Sequence, residues 1–286
     1  MTARILPLLL LAGCISRPDG LQPVEFGPEG SRRGYELYVP REVREPAPLV
    51  VALHRFTENG RIMAWMTDFQ SIADREGFVV IYPDGPGRRF EFLDSEDRDD
   101  VRLVLDAIED VAERISIDRT RVYVTGASNG GFLAHRLACL EPETFAAAAP
   151  VMALMTEELA RSRGAPVPIL IIHGTADRIV KPDRRDQFGG KRLRLLPIDE
   201  TVAYWVQRNG AGEPVRTEMP DREADGTHTV LDQHPGAAEV RYYAVVGGGH
   251  TWPGGQERAP GFIAGPIGRD FSASEEIWAF FQRFHR

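Results

Sequence analysis

The apolar residues of this chain fall into short blocks separated by amphipathic stretches. "PLVVALH" (48–54), "GFVVIYP" (77–83), "RVYVTG" (121–126), "AAAAPVM" (146–152) and "VPILIIHG" (167–174) are mostly continuous apolar runs, partly β-branched. Strands that are apolar on both faces belong inside a parallel sheet covered by helices. Between the runs the period changes. Val101, Val104, Leu105, Ile108, Val111 and Ala112 share one helical face, as do Ile198, Val202, Trp205 and Val206 ahead of an Asn209-Gly210 stop. A last helix opens at Ser272-Ala-Ser-Glu275, a capping box, and carries Ile277, Trp278, Phe281 and Phe284 on its apolar side. "RRGYELYVP" reads as an extra strand, antiparallel at the sheet edge. Strand and helix alternating at this spacing predict an α/β fold: a doubly wound, mostly parallel sheet with helices on both faces. In such sheets the chemistry sits in loops beyond the C-terminal strand ends.

Bulk properties narrow the picture. A chain of 286 residues that is 43% hydrophobic can bury a large core. No repeat or long linker interrupts the alternation, so a single domain is expected over residues 24–286. Lys+Arg 34 against Asp+Glu 42 leaves a net charge of −8, and no basic stretch offers footing for nucleic acid.

The N-terminus differs from the rest. "MTARILPLLLLAGC" has one positive charge at Arg4, an apolar core from Ile5 to Leu11, then small residues and Cys14. The core is too short to span a bilayer but suits a signal peptide. Leu11-Ala12-Gly13-Cys14 resembles the bacterial lipoprotein box, which implies removal of residues 1–13, lipid on Cys14 and a tether over 14–23. The protein is then exported and anchored to a bacterial membrane, facing the periplasm or the cell surface. The remaining cysteine, Cys139, lies on a helical pattern and reads as a buried apolar residue.

Three loops carry candidate chemistry. The strand "RVYVT" runs into Gly126-Ala127-Ser128-Asn129-Gly130-Gly131 and then a helical stretch. Gly-x-Ser-x-Gly between strand and helix is a nucleophile elbow, a turn so tight that its flanking positions exclude side chains while the serine hydroxyl is pushed out above the sheet. A serine needs a base, and the base needs an orienting acid. Asp177 follows the strand ending at His173-Gly174. Asp183 and Asp186 stand nearby, but in the charged stretch "KPDRRDQ". Of 7 histidines, His250 is the candidate base, because glycines on both sides of it in "VVGGGHTWPGG" let that loop fold back over the sheet edge. His54 and His173 end strands and read as packed, hydrogen-bonded residues. An oxyanion site needs two backbone N–H groups. One is expected from Asn129 and the other from the loop after "VVALH", with Phe56 the first choice and Thr57 the second.

With these residues in place, the chain resembles the secreted polyhydroxybutyrate depolymerase and feruloyl esterase-like family of the α/β-hydrolase superfamily. The matching segments are "PLVVALH" with "FTENG", "ADREGFVVIYPDG", "IDRTRVYVTGASNGGFLAHRLAC", "PILIIHGTAD", "ETVAYWVQRNG" and "GGGHTWPGG", spread over residues 35–285. The resemblance implies an α/β-hydrolase catalytic domain with a Ser128, Asp177, His250 triad that cleaves carboxylic esters. It departs from the family in two places. The family's usual His-Gly is His54-Arg55 here, and its disulfide cysteines are missing, alanine standing after Asn209-Gly210.

The expected activity is two-step ester hydrolysis with no cofactor and no metal, the substrates being feruloyl or acetyl-polysaccharide esters, hydroxyalkanoate oligomers or short acyl esters. The partners are the ester and a membrane surface. Arg55 either carries a left-handed φ and about 1–2 kcal/mol of strain, or places a guanidinium at the site mouth to select a carboxylate or phenolate. Trp252 either packs beneath the histidine loop or lines the acyl pocket. Two rivals stand beside the esterase: a catalytically impaired lipoprotein acting as a binding protein, motivated by Arg55, and a peptidase or lipase on the same fold.

Overall fold

A computed structural model of the chain describes residues 18–27, 33–93, 99–183 and 193–286. The signal segment, Cys14 and Asp186 lie outside these residues. The apolar runs become the parallel centre of a 10-stranded sheet ordered β1-β2-β4-β3-β5-β6-β7-β10-β9-β8. These strands are β1 (Gln22–Phe26), β2 (Arg33–Tyr38), β3 (Ala47–Leu53), β4 (Val79–Pro83), β5 (Ile117–Ala127), β6 (Ala147–Val151), β7 (Ile169–Gly174), β8 (Val215–Glu218), β9 (His228–His234) and β10 (Val240–Val246). Six neighbours, β4-β3-β5-β6-β7-β10, pair in parallel. β1, β2, β8 and β9 add antiparallel flanks. The fold is that of the α/β-hydrolases.

The strand expected at the sheet edge is antiparallel but is not the edge. β1 pairs on its outer side, Val24 opposite Tyr35, and begins at Gln22, inside the stretch read as tether. Three of the five residues of β1 are exposed, so nothing in its sequence separates it from a polar lead-in.

Helices cover both faces, and the strands show why. Leu49, Val51 and Leu53 of β3 point into one apolar cluster with Val104 and Val111, on α3 (Asp100–Arg114), and Trp205, on α5 (Ile198–Asn209). Val50 and Ala52 point to the opposite cluster with Met63, on α1 (Gly60–Thr67), Ile72, on α2 (Phe69–Glu76), and Trp278, on α7 (Ala273–Phe281). Side chains on a strand alternate between faces, so a run buried on both faces must be apolar throughout. The end signals read from sequence are present. Gly210 caps α5 with φ 60, and the Ser272 side chain accepts from the Glu275 N–H at the start of α7.

The winding order sets the site. The chain passes from β3 through α1 and α2 to β4 on one side, then through α3 to β5 on the other side of β3. Leu53 and Gly126 thereby become register partners at neighbouring strand ends, and so do Gly174 and Val245. The loops after β3 and β5 meet at this reversal, and those after β7 and β10 meet two strands further on.

Candidate active site

β5 ends at Ala127 and α4 (Asn129–Leu140) starts at Asn129, so Ser128 alone turns the chain. Its φ of 52 and ψ of −113 lie in a region that side chains normally avoid, a conformation costing about 1–3 kcal/mol that the surroundings must hold. They do so through the Ser128 N–H, which donates to the Val151 carbonyl at 2.9 Å, and the Ser128 carbonyl, which accepts from Phe132 N–H at 2.9 Å. The glycines are demanded by close backbone approach. A Cβ on Gly126 would sit 2.5 Å from the Gly130 carbonyl carbon, and one on Gly130 would sit 2.5 Å from that of Leu53. The elbow is thus pressed directly against the end of β3.

Acid and base meet from the two neighbouring loops. His250 Nδ1 lies 2.7 Å from Asp177 Oδ2, with both residues buried. The other carboxylate oxygen accepts from the N–H groups of Ile179, at 2.8 Å, and Val180, at 2.9 Å. An ionised carboxylate only accepts, so the Nδ1 facing it carries the proton and Nε2 is left as the basic nitrogen. His250 is pinned by its own N–H, which donates to Ala264 O at 2.5 Å. Beneath the acid, His173 Nε2 donates to Val180 O at 2.8 Å and lies 3.7 Å from Asp177 Oδ2. Burial pushes the His173 pKa down, opposed by the charge of Asp177. Asp183, the other described acid candidate, makes no hydrogen bond or ion pair with His250.

The loop after β3 is organised by His54. Its Nε2 accepts from Gly85 N–H at 3.0 Å, so the proton is on Nδ1, which donates to the Arg55 carbonyl at 2.7 Å. Burial pushes its pKa down to about 4, so this neutral form persists. In a trans peptide the C=O and the following N–H point in opposite directions, so holding the Arg55 carbonyl aims the Phe56 N–H. That N–H has no partner among the described residues, and Phe56 is 58% exposed. The second candidate donor is already engaged. Thr57, with φ 69, already donates its N–H to Arg88 O at 2.7 Å. The Asn129 N–H belongs to the first turn of α4, whose amides have no carbonyl inside the helix. The Asn129 side chain grips the backbone of Phe90 twice, Oδ1 accepting at 2.6 Å and Nδ2 donating at 2.9 Å, and the Phe90 ring packs 4.5 Å from that of His54.

Two pocket candidates fall elsewhere. Trp252 is buried, its indole N–H donating to Ser274 Oγ at 3.0 Å and its ring set edge-on to Phe69, so it underpins the histidine loop and does not line a pocket. Arg55 has no left-handed φ, and its guanidinium does not project free into the mouth. It binds Glu58 (Nε to Oε2 3.1 Å, Nη2 to Oε1 2.6 Å) and Glu257 (Nη1 to Oε2 2.6 Å, Nη2 to Oε1 3.0 Å). Burial pulls its pKa down, but the two carboxylates more than offset this and hold it above the ordinary guanidinium value. His54 is buried and hydrogen-bonded, as its place at a strand end ahead of a tight loop predicts. The roles of Glu58, Glu257 and the Asn129 side chain were not legible in the sequence.

A serine elbow, a carboxylate-bound histidine and an amide-bearing loop at one edge of this sheet are the arrangement of α/β-hydrolase esterases. Acetyl xylan esterase from Aspergillus awamori has the same fold, with a TM-score of 0.67 and 18% identity over 92% of this chain and 98% of its own. Residues 33–165, which include the β3 loop and the elbow, match the Esterase PHB depolymerase family model. Among curated relatives, the putative esterase NocK of Nocardia uniformis subsp. tsuyamanensis is 28% identical over 86% of this chain and 78% of its own length. The bifunctional acetylxylan esterase/xylanase XynS20E of Neocallimastix patriciarum is 29% identical over 56% of this chain, which spans only 24% of that protein.

Proposed function

We propose that the chain is a serine carboxylic ester hydrolase that works through an acyl-enzyme on Ser128. The observation that carries this reading is the 2.7 Å contact of His250 Nδ1 with Asp177 Oδ2, formed beyond the ends of β7 and β10, at the same edge of the parallel strands as the elbow. It fixes the tautomer that leaves Nε2 free to act as a base. In this reading Ser128 Oγ attacks the ester carbonyl and gives its proton to His250 Nε2. The N–H groups of Asn129 and Phe56 hold the oxyanion, and the imidazolium, stabilised by Asp177, returns the proton to the departing alcohol. Water then cleaves the acyl-enzyme by the same steps and regenerates Ser128.

The substrates are feruloyl or acetyl-polysaccharide esters, hydroxyalkanoate oligomers or short acyl esters, in keeping with the esterase relatives. The rival binding-protein reading is motivated by Arg55, which carries no left-handed φ. The proposal also keeps export and lipid anchoring through Cys14 at a bacterial membrane. Among the described residues no helix is long and apolar enough to cross one. A fluorophosphonate probe is expected to label Ser128 and to abolish hydrolysis of p-nitrophenyl acetate. Folded protein that neither reacts with the probe nor turns over the ester refutes the proposal.

A further inference from the structure

The side chain of Arg55, in the loop after β3, contacts two carboxylates. Glu58 belongs to the same loop, but Glu257 lies 202 residues away, past His250 on the loop after β10. Both carboxylates are engaged through two contacts each by one planar guanidinium, the geometry in which arginine is most directional. The side chains of Arg55 and Glu257 are 9% and 6% exposed, so water screens this contact little.

The far end is as firmly held as the near one. Glu257 Oε1 also accepts from the N–H groups of Arg258 and Ala259, both at 2.8 Å. The preceding residues are tied down by Gln256 N–H to Met66 O at 3.1 Å and Gly255 N–H to Trp252 O at 3.0 Å. At the near end the Arg55 carbonyl accepts from His54 Nδ1 at 2.7 Å and from Glu58 N–H at 3.2 Å. Residue 55 is therefore fixed through its carbonyl and its side chain together, and the peptide that follows it carries the Phe56 N–H.

We propose that Arg55 is a positioning residue: its ion pair with Glu257 clips the oxyanion loop to the histidine loop and sets the aim of the Phe56 amide relative to His250. This rests on the triad and oxyanion reading above. The clip touches no substrate. It acts on the one site geometry that two independent loops must agree on, and a misplacement of about 1 Å between reacting groups can cost about 100-fold in rate.

The test is a double-mutant cycle of Arg55→Gln, Glu257→Gln and the pair, with kcat and KM for p-nitrophenyl acetate and the rate of fluorophosphonate labelling measured well below each melting temperature. Glu257→Gln keeps the shape of the side chain and removes only its charge, so it serves if Arg55→Gln fails to fold. Each single change is expected to lower kcat and labelling by about 10- to 100-fold with KM within about threefold, and the pair to be no worse than the poorer single. Arg55→Lys, which keeps the charge and loses the fork, should recover part of the rate. Folded single variants with kcat within twofold of the parent overturn the clip, as do effects that multiply in the pair. A rise in KM confined to carboxylate-bearing esters also overturns it, because it makes Arg55 a substrate contact. A parent protein without activity or labelling refutes the esterase reading itself, which is a separate outcome.

Discussion

Replacing Gly130 by alanine pits helix propensity against packing. Gly130 is the second residue of α4, and in a helix alanine is favoured over glycine by about 1 kcal/mol, so propensity alone predicts a more stable protein. The structure predicts the reverse. The added Cβ would sit 2.5 Å from the Leu53 carbonyl carbon and 2.7 Å from its Cβ, both at the end of β3, where no flexible side-chain tip can give way. Restoring an ordinary contact requires the elbow and β3 to separate by about 1 Å, and overpacking of this kind costs about 1–3 kcal/mol. Less the propensity gain of about 1 kcal/mol, the net expectation is a loss of up to about 2 kcal/mol, a few degrees in melting temperature. The effect on rate should be larger, because the same displacement parts Ser128 and Asn129 from the Phe56 amide: about 100-fold in kcat/KM. The assay is p-nitrophenyl acetate hydrolysis beside thermal and urea unfolding, with Gly261→Ala as the control, since a Cβ there meets nothing within 4 Å. A folded Gly130→Ala protein with unchanged melting temperature and kcat/KM within threefold of the parent would refute the reasoning.

Asp177→Asn should leave the fold intact, its carbonyl still accepting from Ile179 and Val180, while its amide faces His250 Nδ1 and enforces the wrong tautomer. The expected loss in kcat is on the order of 10⁴-fold, and a loss under tenfold would point to a different acid. Acid stability should follow two buried histidines, His54 and His135, whose pKa values burial lowers from 6.5 to about 4 and about 3. Below pH 6.5 the unfolded chain takes up protons that the folded chain refuses, so stability falls by about 1.4 kcal/mol per pH unit for each as pH drops toward 4, with no contribution above 6.5. The carboxylates with lowered pKa act only below about 4.5, which leaves the upper window to the histidines. Urea midpoints that stay flat from pH 6.5 to 4.5 would contradict this. Cys14→Ala should abolish lipid labelling in a bacterial host and release the protein from membranes, and unchanged membrane retention would exclude the proposed anchor.

The parallel strands and large helices were legible because each reports its own burial. A strand covered on both faces is apolar throughout, and a helix covered on one face repeats every three to four residues. The antiparallel flanks gave less signal. β8 is exposed at every position, so its four residues carry no pattern that a loop would not share. α1 and α2 are short and meet at Asp68, whose φ of 49 breaks the helical period before two full faces accumulate. The tight turn at Ser128 was legible because its glycines are a local necessity, imposed by backbone contacts within five residues and against one neighbouring strand.

By itself, the sequence determined which residue types had to occupy the strand interiors, the elbow and the glycine-rich loop that presents His250. The structure alone decided the rest, because the remaining questions concern partners far apart along the chain. Thr57 is excluded as a donor by the carbonyl of Arg88, and Trp252 is drawn into the core by Ser274 and Phe69. Arg55, which local reasoning treated as strain or as a substrate contact, is bound to Glu257. Hydrogen bonds and ion pairs depend on ångström-scale separation and on exclusion of water, and neither quantity exists for a pair of residues until the chain has folded.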